Sequence, residues 1–143
     1  MHMMQLWVNL PKKDKMAAPG YQSITRADIP SVALDGGGHV RVVAGEHQGA
    51  RGPARTSTPI TMLDVHARAG TRFRASLPSS YNALAVVTSG RVTAGGKSAA
   101  TGELVLFKND GDALELTCGG GGSGPCRTDA SSRAMEARSL GPS

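Results

Sequence analysis

From residue 58 to residue 116 the chain alternates apolar residues with polar or small ones, and no other stretch sustains such a pattern. A period of two is what a β-strand imposes, because successive side chains point to opposite faces. Residues 60–66 are apolar on both faces apart from Asp64 and His66, as expected of a strand in a sandwich or barrel wall. A second strand is predicted over 83–88 and a third over 103–108, with Leu114 and Leu116 facing one way in a fourth. Turn formers separate them: Ala69-Gly70, Pro78-Ser79-Ser80, Ser89-Gly90, Ala94-Gly95-Gly96, Thr101-Gly102 and Asn109-Asp110-Gly111. Strands punctuated roughly every 8–12 residues predict an all-β sandwich or small barrel. No window carries the apolar stripe of an amphipathic helix.

At 143 residues the chain has one domain's length, but its 19 glycines raise the loop content. The aromatics are Trp7, Tyr21, Phe73, Tyr81 and Phe107, so Val, Leu, Ile, Met and Ala must fill the core. No apolar run approaches the ~20 residues that cross a bilayer, which predicts no membrane partner. Met1-His2-Met3-Met4 has neither a charged leader nor a long apolar segment, and the expected location is cytoplasmic. The net charge of +5 is spread along the chain without interleaved aromatics, so no direct nucleic-acid partner is expected. Cys118 and Cys126 stand in a Gly-rich segment where a disulfide would close only a floppy loop, and they receive no role.

The N-terminal part reads as a strand, Gln5-Leu6-Trp7-Val8-Asn9-Leu10, stopped by Pro11 and followed by a charged crossing segment. QLWVNLP, then Lys15-Met16, Pro19 and Tyr21-Gln22, resembles the junction between the two cupin domains of the pirin family. The resemblance continues through Ile24 to Pro30, VRVVAGEHQG and Arg55-Thr56-Ser57-Thr58-Pro59-Ile60. It extends through Leu77-Pro78, Tyr81-Asn82-Ala83, Ser89-Gly90 and Gly102-Glu103-Leu104-Val105-Leu106 to about Leu116. It implies a cupin-type β-sandwich or jelly-roll barrel, incomplete, corresponding to the C-terminal half of a pirin and truncated at both ends.

The implied organisation is an inter-domain strand and linker over 1–34, a C-terminal cupin over 35–118, and a low-complexity, disordered tail over 119–143. Past Leu116 the family's G-E-P-L-x-E-P and G-P-F-V-M-N segments are replaced by GGGGSGPCRTDASSRAMEARSLGPS. Four consecutive glycines carry a large backbone entropy and bury nothing, and a short helix near 131–139 is the only order expected there.

Pirins imply an iron-dependent, quercetin 2,3-dioxygenase type of activity, with the iron held by H-x-H and H-x-E pairs in the first cupin, upstream of QLWVNLP. No cofactor is therefore expected in this chain, and no catalytic, cofactor-binding or metal residue is assigned. The histidines inside the domain are His39, His47 and His66. Glu46-His47 and Asp64-x-His66 have the right ligand types, but Glu46 and His47 are adjacent and face apart, whereas Asp64 and His66 share a face. Surface or rim positions are the expectation for all three histidines. Ser76, Ser79 and Ser80 lack a nucleophile elbow. Gly36-Gly37-Gly38 lacks the ending of a phosphate loop and reads as a hinge. The alternative to a dioxygenase half is a non-enzymatic interaction module acting on a transcription factor or metabolic enzyme. Unpaired edges left after Leu116 would favour a protein partner or self-association.

Overall fold

The computed structural model describes residues 5–119 and 126–134. In chain order the strands are β1 (Ser31–Ala33), β2 (Gly38–Ala44), β3 (Glu46–His47), β4 (Ala50–Arg51), β5 (Ile60–Ala67) and β6 (Arg72–Ser76). There follow β7 (Tyr81–Ser89), β8 (Arg91–Ala94), β9 (Lys97–Ala100), β10 (Leu104–Leu106), β11 (Ala113–Cys118) and β12 (Cys126–Ala134). One sheet has the order β1-β2-β5-β12-β7-β10, a second the order β6-β11-β8-β9, and β3 and β4 form a separate hairpin. All pairings are antiparallel.

The alternation translates directly into burial. Val40, Val42, Leu63, Val65, Ala85 and Val87 come from the larger sheet, and Phe73, Val92, Leu114 and Leu116 from the smaller one. These meet in one apolar cluster between the sheets. Two sheets packed face to face around such a core form a sandwich, and aliphatic volume does fill it around the single buried Phe73. The turns fall where the sequence places them. The three glycines form the β1–β2 hairpin connection rather than a hinge, with the Gly37 amide donating to the Leu34 carbonyl at 2.9 Å. Gly38 has φ 113°, and a Cβ there would lie 2.8 Å from the Ala67 Cα on β5.

Three expectations need correction. Residues 5–10 form no strand: no ladder among the described residues includes them, and an extended segment outside a ladder is not a strand. The boundary at 34/35 divides the β1–β2 hairpin, since Val32 pairs with Val40 and Ala33 with His39.

The largest correction concerns the tail. Within 119–143, residues 126–134 are a strand, not disordered chain or helix, and β12 fills the centre of the six-stranded sheet. It pairs with β5 from Cys126 opposite Ala67 to Arg133 opposite Ile60, and with β7 up to Ala134 opposite Tyr81. Backbone hydrogen bonds to both neighbours outweigh a low-complexity composition, because the ladder uses main-chain groups that every non-proline residue carries. Among the described residues β12 thus lies between β5 and β7, and the sheet's edges are β1 and β10. The remainder of the expected tail, 120–125 and 135–143, lies outside the described residues.

Candidate functional site

The potential ligands fall into two separate places. On the outward face of the six-stranded sheet, register sets His39 opposite His66 and Arg41 opposite Asp64. The two imidazoles stack with centroids 4.8 Å apart and planes 10° from parallel. His66 Nε2 lies 3.1 Å from Asp64 Oδ2, and Arg41 reaches the same oxygen at 3.7 Å. The Asp64–His66 pairing on one face is as the sequence reads. Its partners, His39 and Arg41, come from a strand more than twenty residues away, and local spacing gives no signal for them.

His47 lies elsewhere. It is 7% exposed, in the short β3–β4 hairpin, and its ring leans on Phe73 with centroids 5.5 Å apart. It is a buried histidine, not a surface or rim one, and its Nε2 has no hydrogen-bond partner among the described residues. Burial pushes its pKa below the usual 6.5. Glu46, adjacent to it, is exposed.

An iron site of the kind the resemblance describes needs imidazoles and a carboxylate converging on one point with open positions. This donor set does not fit it. Asp64 already serves His66 and Arg41, the stacked rings present parallel faces rather than converging nitrogens, and His47 lies apart from them with its ring against Phe73. Among the described residues no group of three or more His, Cys, Asp or Glu side chains could hold a metal ion.

Two further features carried no role in the sequence reading. Cys118 and Cys126 are both buried and not in a disulfide. A hydrogen bond between the two thiols and, after it, burial drive the Cys118 pKa upward. The second feature is a cleft of about 610 Å³ where the β2–β3 turn, the 51–59 segment and the starts of β5 and β7 meet. Arg51 and Arg55 line it, together with the hydroxyl-bearing residues Thr56, Ser57, Thr58, Thr61 and Tyr81. Turn-like composition hides such a cleft, since its walls carry no periodic pattern.

The two antiparallel sheets packed around one core, not closed into a barrel, have the cupin-type fold. Solved cupin domains superpose on it with TM-scores of 0.51 and 0.52 at 13% and 9% identity. No protein-family model matches the chain. A Pseudomonas aeruginosa protein provisionally named as a quercetin 2,3-dioxygenase is 39% identical over 117 residues, 81% of this chain and 41% of that one. Mouse pirin is 35% identical over 118 residues, 80% of this chain and 40% of that one. The crystal structure of a quercetin 2,3-dioxygenase from Acinetobacter baumannii superposes with a TM-score of 0.80 at 29% identity, over 89% of this chain and 43% of that one. The chain belongs to the pirin family, to its C-terminal half. It spans about two-fifths of the length of these relatives.

Proposed function

We propose that this chain is the non-catalytic cupin half of a two-cupin pirin, and that iron-dependent, quercetinase-type oxygenation belongs to the other cupin of such a protein. One observation carries the reading: the imidazoles split between an outward face, where His39 and His66 stack beside Asp64, and the interior, where the His47 ring leans on Phe73. Without convergence these groups cannot polarise a flavonol or hold oxygen beside it. The test is to purify the chain after growth with added iron, measure bound metal, and assay quercetin consumption. The expected result is substoichiometric iron and no turnover; one iron per chain with turnover abolished by His47→Ala would overturn the reading.

A specific observation favours the second reading, an interaction module. Trp7 and Tyr21 are 86% and 91% exposed, and Leu6, Leu10 and Met16 are exposed with them along the N-terminal segment. Aromatic and methionine side chains of this kind are what protein interfaces concentrate at their centres. A transcription factor or metabolic enzyme captured by this segment would lose binding in Trp7→Ala, with the melt unchanged.

A further inference from the structure

The 610 Å³ cleft beside the β3–β4 hairpin is distinct from all three histidines and from the apolar N-terminal segment. Its charge is one-sided: Arg51 and Arg55 line it, and no acidic side chain does so among the described residues. Glu46, the register partner of Arg51, is not part of the lining, and neither arginine is in an ion pair among those described. Two unneutralised guanidiniums on one concave wall create a positive potential that concentrates anions, and guanidinium geometry suits carboxylate and phosphate oxygens.

The wall that carries the arginines is fixed. The side-chain amide of Gln22 brackets the backbone of Arg55, donating from Nε2 to its carbonyl at 2.7 Å and accepting from its amide at 2.8 Å. The Gly52 amide donates to the Gly45 carbonyl at 2.9 Å, and the Ala54 amide to Val43 at 3.1 Å. Gly52 sits so close to β2 that a Cβ would fall 2.5 Å from the Ala44 amide nitrogen. A backbone held this way supplies the pre-organisation that a binding site requires, because less freedom is lost when a ligand docks. The lining residues Thr56, Ser57, Thr58, Thr61 and Tyr81 carry hydroxyls, neutral donors and acceptors that complement the two charges. The volume lies within the ~300–1,000 Å³ typical of small-molecule sites, and exceeds what a bare inorganic anion fills.

We propose that this cleft binds a small organic oxyanion, a phosphorylated or carboxylated molecule bearing hydroxyl groups, with Arg51 and Arg55 on the charge and the Thr, Ser and Tyr hydroxyls on the rest. The proposal is independent of where iron binds. It is tested on the full chain by calorimetric titration, at constant ionic strength, with glucose 6-phosphate, citrate, inorganic phosphate and uncharged glucose. One-to-one binding of glucose 6-phosphate or citrate is expected, tighter than inorganic phosphate, with none for glucose; which anion binds tighter distinguishes a phosphate from a carboxylate ligand. Arg51→Gln and Arg55→Gln should each weaken binding about tenfold or more, as for a lost charge-assisted hydrogen bond, while Arg91→Gln on the other sheet leaves it unchanged. Both cleft arginines are exposed, so these variants should melt like the parent chain. No isotherm with either organic anion overturns the proposal. So does glucose binding as well as glucose 6-phosphate, binding undiminished in both cleft variants, or equal weakening in Arg91→Gln.

Discussion

His39 and His66 lie face to face across the β2–β5 ladder, 4.8 Å between ring centroids, and only one of them has a carboxylate. Asp64 stands 3.1 Å from His66, whereas the buried Nε2 of His39 finds no partner among the described residues. Stacking two imidazoles makes it costly to charge both. The His39 pKa is accordingly held below its usual 6.5, first by desolvation, then by His66, Arg41 and Arg26, with Asp64 opposing.

A pH dependence follows from His39 and His47, both of which stay neutral in the fold to lower pH than in the unfolded chain. Below the usual value of 6.5 the unfolded chain binds more protons than the folded one, so stability falls as pH falls and levels off below the depressed folded values. The denaturant midpoint should drop between pH 7.5 and 5.5, and the double variant His39→Asn, His47→Leu should flatten that drop. An unchanged pH slope in the variant would count against this assignment.

His47→Leu should stabilise the protein by about 1 kcal/mol, because it removes a buried nitrogen without a partner while keeping apolar contact with Phe73. Urea denaturation at pH 7.5 measures it. A clear loss of stability would mean that the nitrogen has a partner in solution.

The thiols of Cys118 and Cys126 should resist alkylation in the native protein at pH 8 and react fully in denaturant, since both are buried and Cys118 is pushed further toward its neutral form. Mass spectrometry after iodoacetamide reads both sites. Rapid labelling of Cys126 alone would mean that β12 leaves the sheet readily.

Gln22→Ala should weaken anion binding in the cleft while leaving both arginines in place, because it frees the Arg55 backbone that its amide brackets. A loss of a few-fold, smaller than that of Arg55→Gln, is the expected calorimetric result.

Edge strand β10 exposes Leu104 and Leu106 beside an unpaired ladder, a combination that favours sheet-to-sheet association. Sedimentation velocity should show concentration-dependent self-association that Leu106→Lys reduces. A monomer at all concentrations would assign that edge no such role.

The strands β5, β7, β10 and β11, the turn positions and the membership of Asp64 and His66 on one face were legible in the sequence. Each depends on a spacing of two or on local turn chemistry, which a single segment specifies by itself. The residues 5–10 alternate equally well yet form no strand, because alternation states which side chains could share a face, not whether a neighbouring ladder exists. The same limit, reversed, hid β12: its composition promised nothing, but β5 and β7 hold open a slot whose main-chain groups any extended segment can satisfy. Register between distant strands placed His39 on His66, and packing between the sheets placed His47 on Phe73. Loop trajectory set Arg51 and Arg55 around one cleft. Those encounters are decided by long-range pairing and the closing of the core, to which one-dimensional order contributes only the list of candidates.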